Sequence, residues 1–298
     1  MAVPQLDPKL TKPIDEDAPP TIYGSELKPE LATAALNLPI DFLKQKESLA
    51  NKYVARHPIT LSMIILAVAV YMGNSCVLPE GSSLSVTEKL AAFAVLNKKE
   101  LISAIIVMCV ASSLIITTLA KMNSALFKSK TDAILESKGA NIFKVNLAHL
   151  AEGGSEVASN EEVKNTHVVV YRETPIALVS VKENKGLSTK DTLVVGVSTI
   201  GCRQVYLKSG ILEDLLDWAL VRTKNIQKHS GKYPNGQSMK LLVDVYSFDK
   251  YMKQVLKRKG FSHLESFKLP EDRILSSIFG VRRELWGVQF HFETKEEK

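Results

Sequence analysis

Two uncharged apolar stretches, Ile59–Leu78 and Leu101–Ala120, constrain this chain more than any other feature of it. Each runs 20 residues without Asp, Glu, Lys or Arg. At the helical rise of about 1.5 Å per residue, such a run reaches about 30 Å, the hydrocarbon thickness of a bilayer. Helices of soluble proteins normally keep a charged face, and neither stretch has one. The connection, Pro79–Glu100, is too short for a domain. The two stretches read as a transmembrane hairpin; the competing reading is a pair of buried core helices.

The flanks give an orientation. Lys44, Lys46, Lys52 and Arg56 precede the first stretch, and Lys121, Lys128, Lys130 and Lys138 follow the second. The connection is neutral. The excess of Lys and Arg outside the hairpin places both termini in the cytosol, although Lys98 and Lys99 pull the other way. No secretory signal opens the sequence, so the first span is expected to target the chain to the endoplasmic reticulum. Of the formal net charge of +6, residues 121–298 carry about +7. That modest excess suits an anionic membrane surface better than nucleic acid, and no nucleic-acid partner is expected. Cys76, Cys109 and Cys202 form no disulfide framework.

Taken in order, residues 1–56 read as an N-terminal cytosolic lead, 57–121 as the hairpin and 122–298 as a cytosolic domain. Residues 1–29 are Pro-rich and polar and are expected to be extended and mostly disordered. Glu30–Arg56 has apolar residues at roughly helical spacing, interrupted by Pro39. It is expected to be a kinked amphipathic segment, on the membrane or on its own domain. Within the second span, Cys109, Ser113 and Thr117 stand at i, i+4 and i+8 and share one face. Small, weakly polar stripes either pack spans together or meet a partner's helices, so these three are candidate client-contact residues. No ionisable group lies in either span, which argues against a transporter. Leu90–Leu96 is apolar but too short to span, and an interfacial half-helix on the lumenal side is expected.

Beyond Lys121 the pattern is that of a mixed α/β domain. Strands are predicted at Ile142–Val145, Thr166–Tyr171, Ile176–Lys182, Thr192–Ile200, Leu241–Tyr246, Ser262–Phe267 and Arg283–Phe292. Helices are predicted at Leu212–Ile226 and Phe248–Arg258, the latter closed by Gly260. The six histidines stand singly, without His-Glu-x-x-His or Cys-x-x-Cys spacing, so no metal is expected. Gly153-Gly154-Ser155 lacks the Gly-Lys-Ser/Thr of a phosphate-binding loop, and no Gly-x-Ser-x-Gly elbow occurs. Lys253–Lys259 is a basic run, either a solvated face or a patch for headgroups or an acidic partner.

The order strand, strand, helix, strand, helix with Gly-Phe, strands resembles the Gcn5-related N-acetyltransferase fold over about Val168–Phe292. Leu241–Phe261, LLVDVYSFDKYMKQVLKRKGF, carries it best. The resemblance implies a turn that holds coenzyme A pyrophosphate on backbone N–H groups before the central helix. Here that turn is Leu207-Lys208-Ser209-Gly210-Ile211-Leu212. Only Gly210 fits the pattern. Leu207 replaces an Arg or Gln, Leu212 stands where a Gly or Ala is usual, and Glu213 and Asp214 follow at once. The family's usual acid, a Tyr, falls at Leu256, and its usual Asn at Asp249; Tyr251 lies one turn too early. The resemblance thus implies a degenerate acetyltransferase-like domain without cofactor or catalytic residue.

A second resemblance covers the whole chain. The opening MAVPQLDPKLTKPIDEDAPPTIYGSELKPE, the stretch NKYVARHPITL, the hairpin and the cytosolic region are together similar to the fungal inorganic phosphate transport protein of the endoplasmic reticulum. That family implies a two-span packaging chaperone that helps the high-affinity phosphate transporter leave for the plasma membrane. The expected fold class is α+β, a two-helix transmembrane hairpin plus a cytosolic acetyltransferase-like mixed-sheet domain. The expected partners are the bilayer and a polytopic phosphate transporter. Two alternatives stand: a membrane-anchored N-acetyltransferase using acetyl-coenzyme A, and a structural anchor for membrane partners.

Overall fold

A computed structural model of the chain describes residues 22–79, 85–152, 161–230 and 238–291. Seven strands form one sheet: β1 (Ile22–Glu26), β2 (Thr166–Tyr171), β3 (Thr174–Glu183), β4 (Thr192–Cys202), β5 (Ser238–Tyr246), β6 (Ser262–Lys268) and β7 (Arg282–His291). Their spatial order is β1-β2-β3-β4-β5-β7-β6. All neighbours are antiparallel except β4 and β5, which are parallel. A parallel pair needs a crossover, and α7 (Ile211–Ser230) supplies it.

The central strands are apolar on both faces, because both faces are covered. On one face, Leu215, Leu216 and Ala219 of α7 pack with Val255 and Leu256 of α8 (Lys250–Arg258) on Val179, Val195 and Leu241. On the other face lies α1 (Ala32–Ala55), with the short helices α5 (Ala140–Phe143) and α6 (Leu147–Ala151) beside it. There Leu38 and Phe42 of α1 pack with Phe143, Leu147, Val168 and Leu178. Burying each such side chain contributes about 1.5–3 kcal/mol. That is enough to hold Pro39, which costs about 3 kcal/mol inside a helix, within α1.

Among the described residues, two helices are long and apolar enough to cross a membrane: α2 (Pro58–Ser75) and α4 (Lys98–Glu136). They lie side by side, and their outer side chains, such as Ile65, Leu66, Val110 and Leu114, are exposed. Pro58 takes the first turn of α2, where its missing N–H costs nothing, and the His57 ring accepts from Ile59 N. At the opposite end Asn97 joins the two helices through the main chain of Val77. Between them α3 (Val86–Leu96) starts with a capping box, Ser85 and Glu88 bonding reciprocally. A last short helix, α9 (Arg273–Ser277), precedes β7.

α4 has 39 residues, about 58 Å at the helical rise. Only residues 101–120 of it are uncharged. The remainder runs along α1, where Asn123 donates to Asn51 at 2.8 Å. Further on, Leu126 and Phe127 pack with Ala50, Val54, Tyr246, Phe248 and Phe279.

Two expectations change. Ile22–Glu26 is an edge strand paired with β2, not part of an extended lead. Of the two placings expected for Glu30–Arg56, the structure shows the packing of α1 on the sheet. Residues 1–21 of that lead lie outside the described residues. Ile142–Val145 is not a strand. Gly139 and Lys144, both at positive φ, bracket the single helical turn of α5, and Phe143 and Val145 point into the layer under α1. The other predicted strands and both predicted helices are present, with ends moved by a few residues.

Candidate functional site

The register of the parallel pair sets the site. β4 and β5 pair from Thr192 and Ser238 only as far as Gly196 and Leu242. Beyond that point β4 follows β3, up to Cys202 opposite Ala177. β5 follows β7, up to Tyr246 opposite Arg283. The two strands therefore part, and a cavity of about 770 Å³ opens between their C-terminal ends.

Helix α1 closes one side of this gap. Phe42 lies flat against Gly201 of β4; a Cβ at that position would meet the ring at 2.5 Å, so only glycine admits this contact. Gln45 donates from Nε2 to the Cys202 carbonyl at 3.2 Å. Lys46, Leu49 and Tyr53 continue the same helical face along the cavity. The far end of the cavity reaches His57 and Pro58, the joint between α1 and α2.

The turn before α7 forms the opposite wall. Leu207 and Leu212 both line the cavity, and Leu212 is only 3% exposed. Gly210 has a φ of 88° and open space around it. Lys208 points to solvent. Glu213 pairs with Arg258 at 2.7 Å and keeps Oε2 buried without a hydrogen bond. From α8, the Tyr251 hydroxyl donates to the Leu207 carbonyl at 2.5 Å. Asp249 caps α8 by accepting from Met252 N, and Leu256 is fully buried in the core. Nothing at the position of Leu256 can transfer a proton.

Burial and the neighbouring Glu213 push the Cys202 thiol up to about 12, so it is not a nucleophile near neutral pH. Lys46 has its pKa lowered, first by burial, with Lys130 and Arg283 adding to the effect and Asp249 and Asp244 opposing it. Among the described residues, no cluster of His, Cys, Asp or Glu has the arrangement of a metal site.

The predicted stripe on the second apolar helix is placed clearly. Cys109, Ser113 and Thr117 are all exposed on α4. Ala104, Ala111 and Ile115 are more covered, on a different side of the helix. The stripe is not the packing seam of this hairpin. In the sheet-bearing unit, Leu207 and Leu212 lie together on the cavity wall and Lys208 stays outside it. Sequence reasoning missed Phe42, Gln45 and Lys46 as lining residues. The spacing Phe42, Lys46, Leu49, Tyr53 marks one face of a helix, but not what that face covers.

The model of a family described as inorganic phosphate transporter chaperone Pho86 matches residues 4–290. No curated protein sequence matches the chain. Solved structures similar to part of it include Arabidopsis thaliana NAA60 in complex with a bisubstrate analogue, at 14% identity and a TM-score of 0.34, covering 48% of this chain and 80% of that one. An acetyltransferase of the GNAT family from Streptococcus pneumoniae matches at 15% identity and a TM-score of 0.34, covering 48% and 76%. Arabidopsis thaliana Naa50 in complex with the bisubstrate analogue CoA-Ac-MVNAL matches at 15% and 0.31, covering 43% and 72%.

Proposed function

The chain belongs to the family of inorganic phosphate transporter chaperones, and from that premise we propose that it acts in the endoplasmic reticulum membrane as an export adaptor for a polytopic phosphate transporter. The family match over residues 4–290 carries this reading, because it runs through both apolar helices and the whole sheet. In this reading α2 and α4 cross the bilayer with both termini cytosolic. Their exposed apolar surface lies beside the client's helices, and the cytosolic unit shields client loops until export. Cys109, Ser113 and Thr117 are the proposed client-contact face.

Catalysis has no part in this reading. The turn Leu207–Leu212 fits a pyrophosphate poorly. Leu207 and Leu212 supply hydrocarbon where backbone N–H groups would have to approach phosphates, and Glu213 and Asp214 add negative charge to the first turn of α7. Leu256 offers no acid, and the Tyr251 hydroxyl is occupied by Leu207. We read the unit as an acetyltransferase-like scaffold used for binding.

Deleting the protein and following the transporter tests the proposal. Retention of the transporter in the endoplasmic reticulum is expected; normal arrival at the plasma membrane overturns it. In sealed microsomes a tag at the C-terminus should be digested by added protease. A cysteine placed at Thr87 should react with an impermeant maleimide only after the membrane is opened.

One observation favours a second reading, a membrane-anchored N-acetyltransferase using acetyl-coenzyme A. The cavity between β4 and β5 is open, and Gly210 keeps a backbone conformation suited to a close approach. Calorimetric titration of the full chain with coenzyme A separates the two. Micromolar binding would support the enzyme, and no heat would support the adaptor.

A further inference from the structure

The cavity beside α1 combines features that the fold itself does not require. Most of its wall is apolar, with Leu49, Leu207, Phe248 and Met252 among the lining residues. One helix also turns three cations to it, Lys46, Lys52 and Arg56. They are spread over about 15 Å along α1, and the last stands one residue before His57, at the end of the cavity beside Pro58. The basic series therefore leads from the start of the apolar helix α2 into the interior of the cavity.

Lys46, at the inner end of the series, is half-buried. Its ammonium makes no hydrogen bond or ion pair among the described residues. The two carboxylates that favour its charge are committed elsewhere: Asp249 caps α8, accepting from Met252 N at 3.0 Å, and Asp244 pairs with Arg283. Burial holds the lysine below its ordinary value, and Lys130 and Arg283 reinforce the effect. A half-buried ammonium that lacks a partner keeps only part of its hydration, and an ion pair would make up the loss. An anion from outside the chain would complete it.

We propose that this cavity binds one anionic phospholipid of the cytosolic leaflet, its phosphate drawn in along Arg56 and Lys52 and held at Lys46, and its upper hydrocarbon lying along the apolar wall. A volume of about 770 Å³ falls within the range of ligand sites, roughly 300–1,000 Å³. It takes a headgroup and part of the chains, and the rest of the lipid stays in the bilayer that Pro58 enters. The anionic cytosolic leaflet draws basic juxtamembrane segments to it, which favours capture. The apolar wall selects a lipid over a free anion, since inorganic phosphate has nothing to place against Leu49 and Phe248. This inference rests on the reading that α2 enters the membrane at Pro58 from the cytosolic side.

The test uses the purified full chain in detergent, titrated with dioctanoyl phosphatidylserine and read by native mass spectrometry. Dioctanoyl phosphatidylcholine, inorganic phosphate and coenzyme A run in parallel. One phosphatidylserine should be retained and phosphatidylcholine should not; phosphate and coenzyme A should not displace it. Lys46→Met should weaken binding about ten-fold or more while raising Tm, because the unpartnered ammonium is gone. The raised Tm separates lost binding from lost folding. Leu49→Trp, which fills the cavity from its exposed edge, should block binding by a second route. Equal retention of the two lipids, or unchanged affinity in both variants, overturns the proposal. Retention of inorganic phosphate alone, displacement of the lipid by coenzyme A, or binding of a client peptide in its place overturns it as well. Because an adduct on the purified chain is measured, this result stands or falls separately from transporter export.

Discussion

The Tyr251 hydroxyl donates to the Leu207 carbonyl across 2.5 Å, tying the first turn of α8 to the turn that leads into α7. Both residues line the cavity between β4 and β5. The bond fixes the shape of that wall and leaves the phenol no proton to offer elsewhere. Tyr251→Phe should cost about 0.5–1.5 kcal/mol, the net worth of a hydrogen bond. Leu212→Gly should cost more, about 2–5 kcal/mol, because it removes a side chain that is 3% exposed and places glycine in the first turn of a helix. Thermal melts of the full chain in detergent measure both. If the turn kept its geometry and only Leu212 blocked a cofactor, Leu212→Gly would gain coenzyme A binding; no gain is expected.

A second expectation concerns pH. His167 stacks on Trp218 with ring centroids 4.9 Å apart, and burial lowers its pKa, with Glu26 opposing. The folded state thus holds this proton less well than the unfolded chain, where histidine titrates near 6.5. The stability it contributes is fully present above that value. It is lost as pH falls from about 6.5 towards the lowered folded value. Tm should drop between pH 7.5 and 5, and His167→Phe, which keeps a ring against Trp218, should flatten that part of the profile. An unchanged slope in the variant would assign the acid sensitivity to other groups.

Asn97 binds the far ends of the two apolar helices together. Its Oδ1 accepts from Val77 N at 2.8 Å, and its Nδ2 donates to Val77 O at 2.9 Å and to Phe93 O at 3.0 Å. The residue is 1% exposed, so Asn97→Ala would strand both polar groups of Val77. The expected cost is about 1–3 kcal/mol, seen as a lower Tm in detergent. Asn97→Leu should be no better, since volume is not what is lost.

The outward stripe on α4 can be tested apart from the hairpin's own packing. Changing Cys109, Ser113 and Thr117 together to Leu should leave insertion and Tm nearly unchanged, because all three are exposed. Transporter export should fall several-fold if this face meets the client. Unchanged export would move client contact to the sheet-bearing unit.

Much of this architecture was legible because it rests on strong periodic or continuous patterns. The two apolar stretches and the Val168-Val169-Val170 strand are of that kind, as is Leu212–Ile226. The strand Ile22–Glu26 was not, because its identity comes from its partner. Four of its five residues are exposed, and Gly24 is needed only because the His167 ring lies where a Cβ would stand, 2.4 Å away. Ile142–Val145 looked like a strand by composition, but the left-handed residues Gly139 and Lys144 had already bent the chain into a helical turn. At the site, the oddities of Leu207–Leu212 could be read directly. The covering of the gap by Phe42, Gln45 and Lys46 could not. It joins residues such as Gln45 and Cys202, 157 positions apart, and no local pattern announces such a contact.

The pairing of β1 with β2 has a consequence for biosynthesis. Ile22 sits opposite Tyr171, and both membrane-length helices lie between them in the sequence. At about 5–20 residues per second, β1 and α1 leave the ribosome roughly 6–30 s before β2. Until then their apolar faces have nothing to cover them. The sheet closes only on a chain whose early and late parts lie in the same compartment, so membrane insertion as proposed requires an even number of crossings. A hairpin inserted by one helix alone would strand β1 and α1 across the bilayer from β2, and the failure to close would mark that molecule as misinserted.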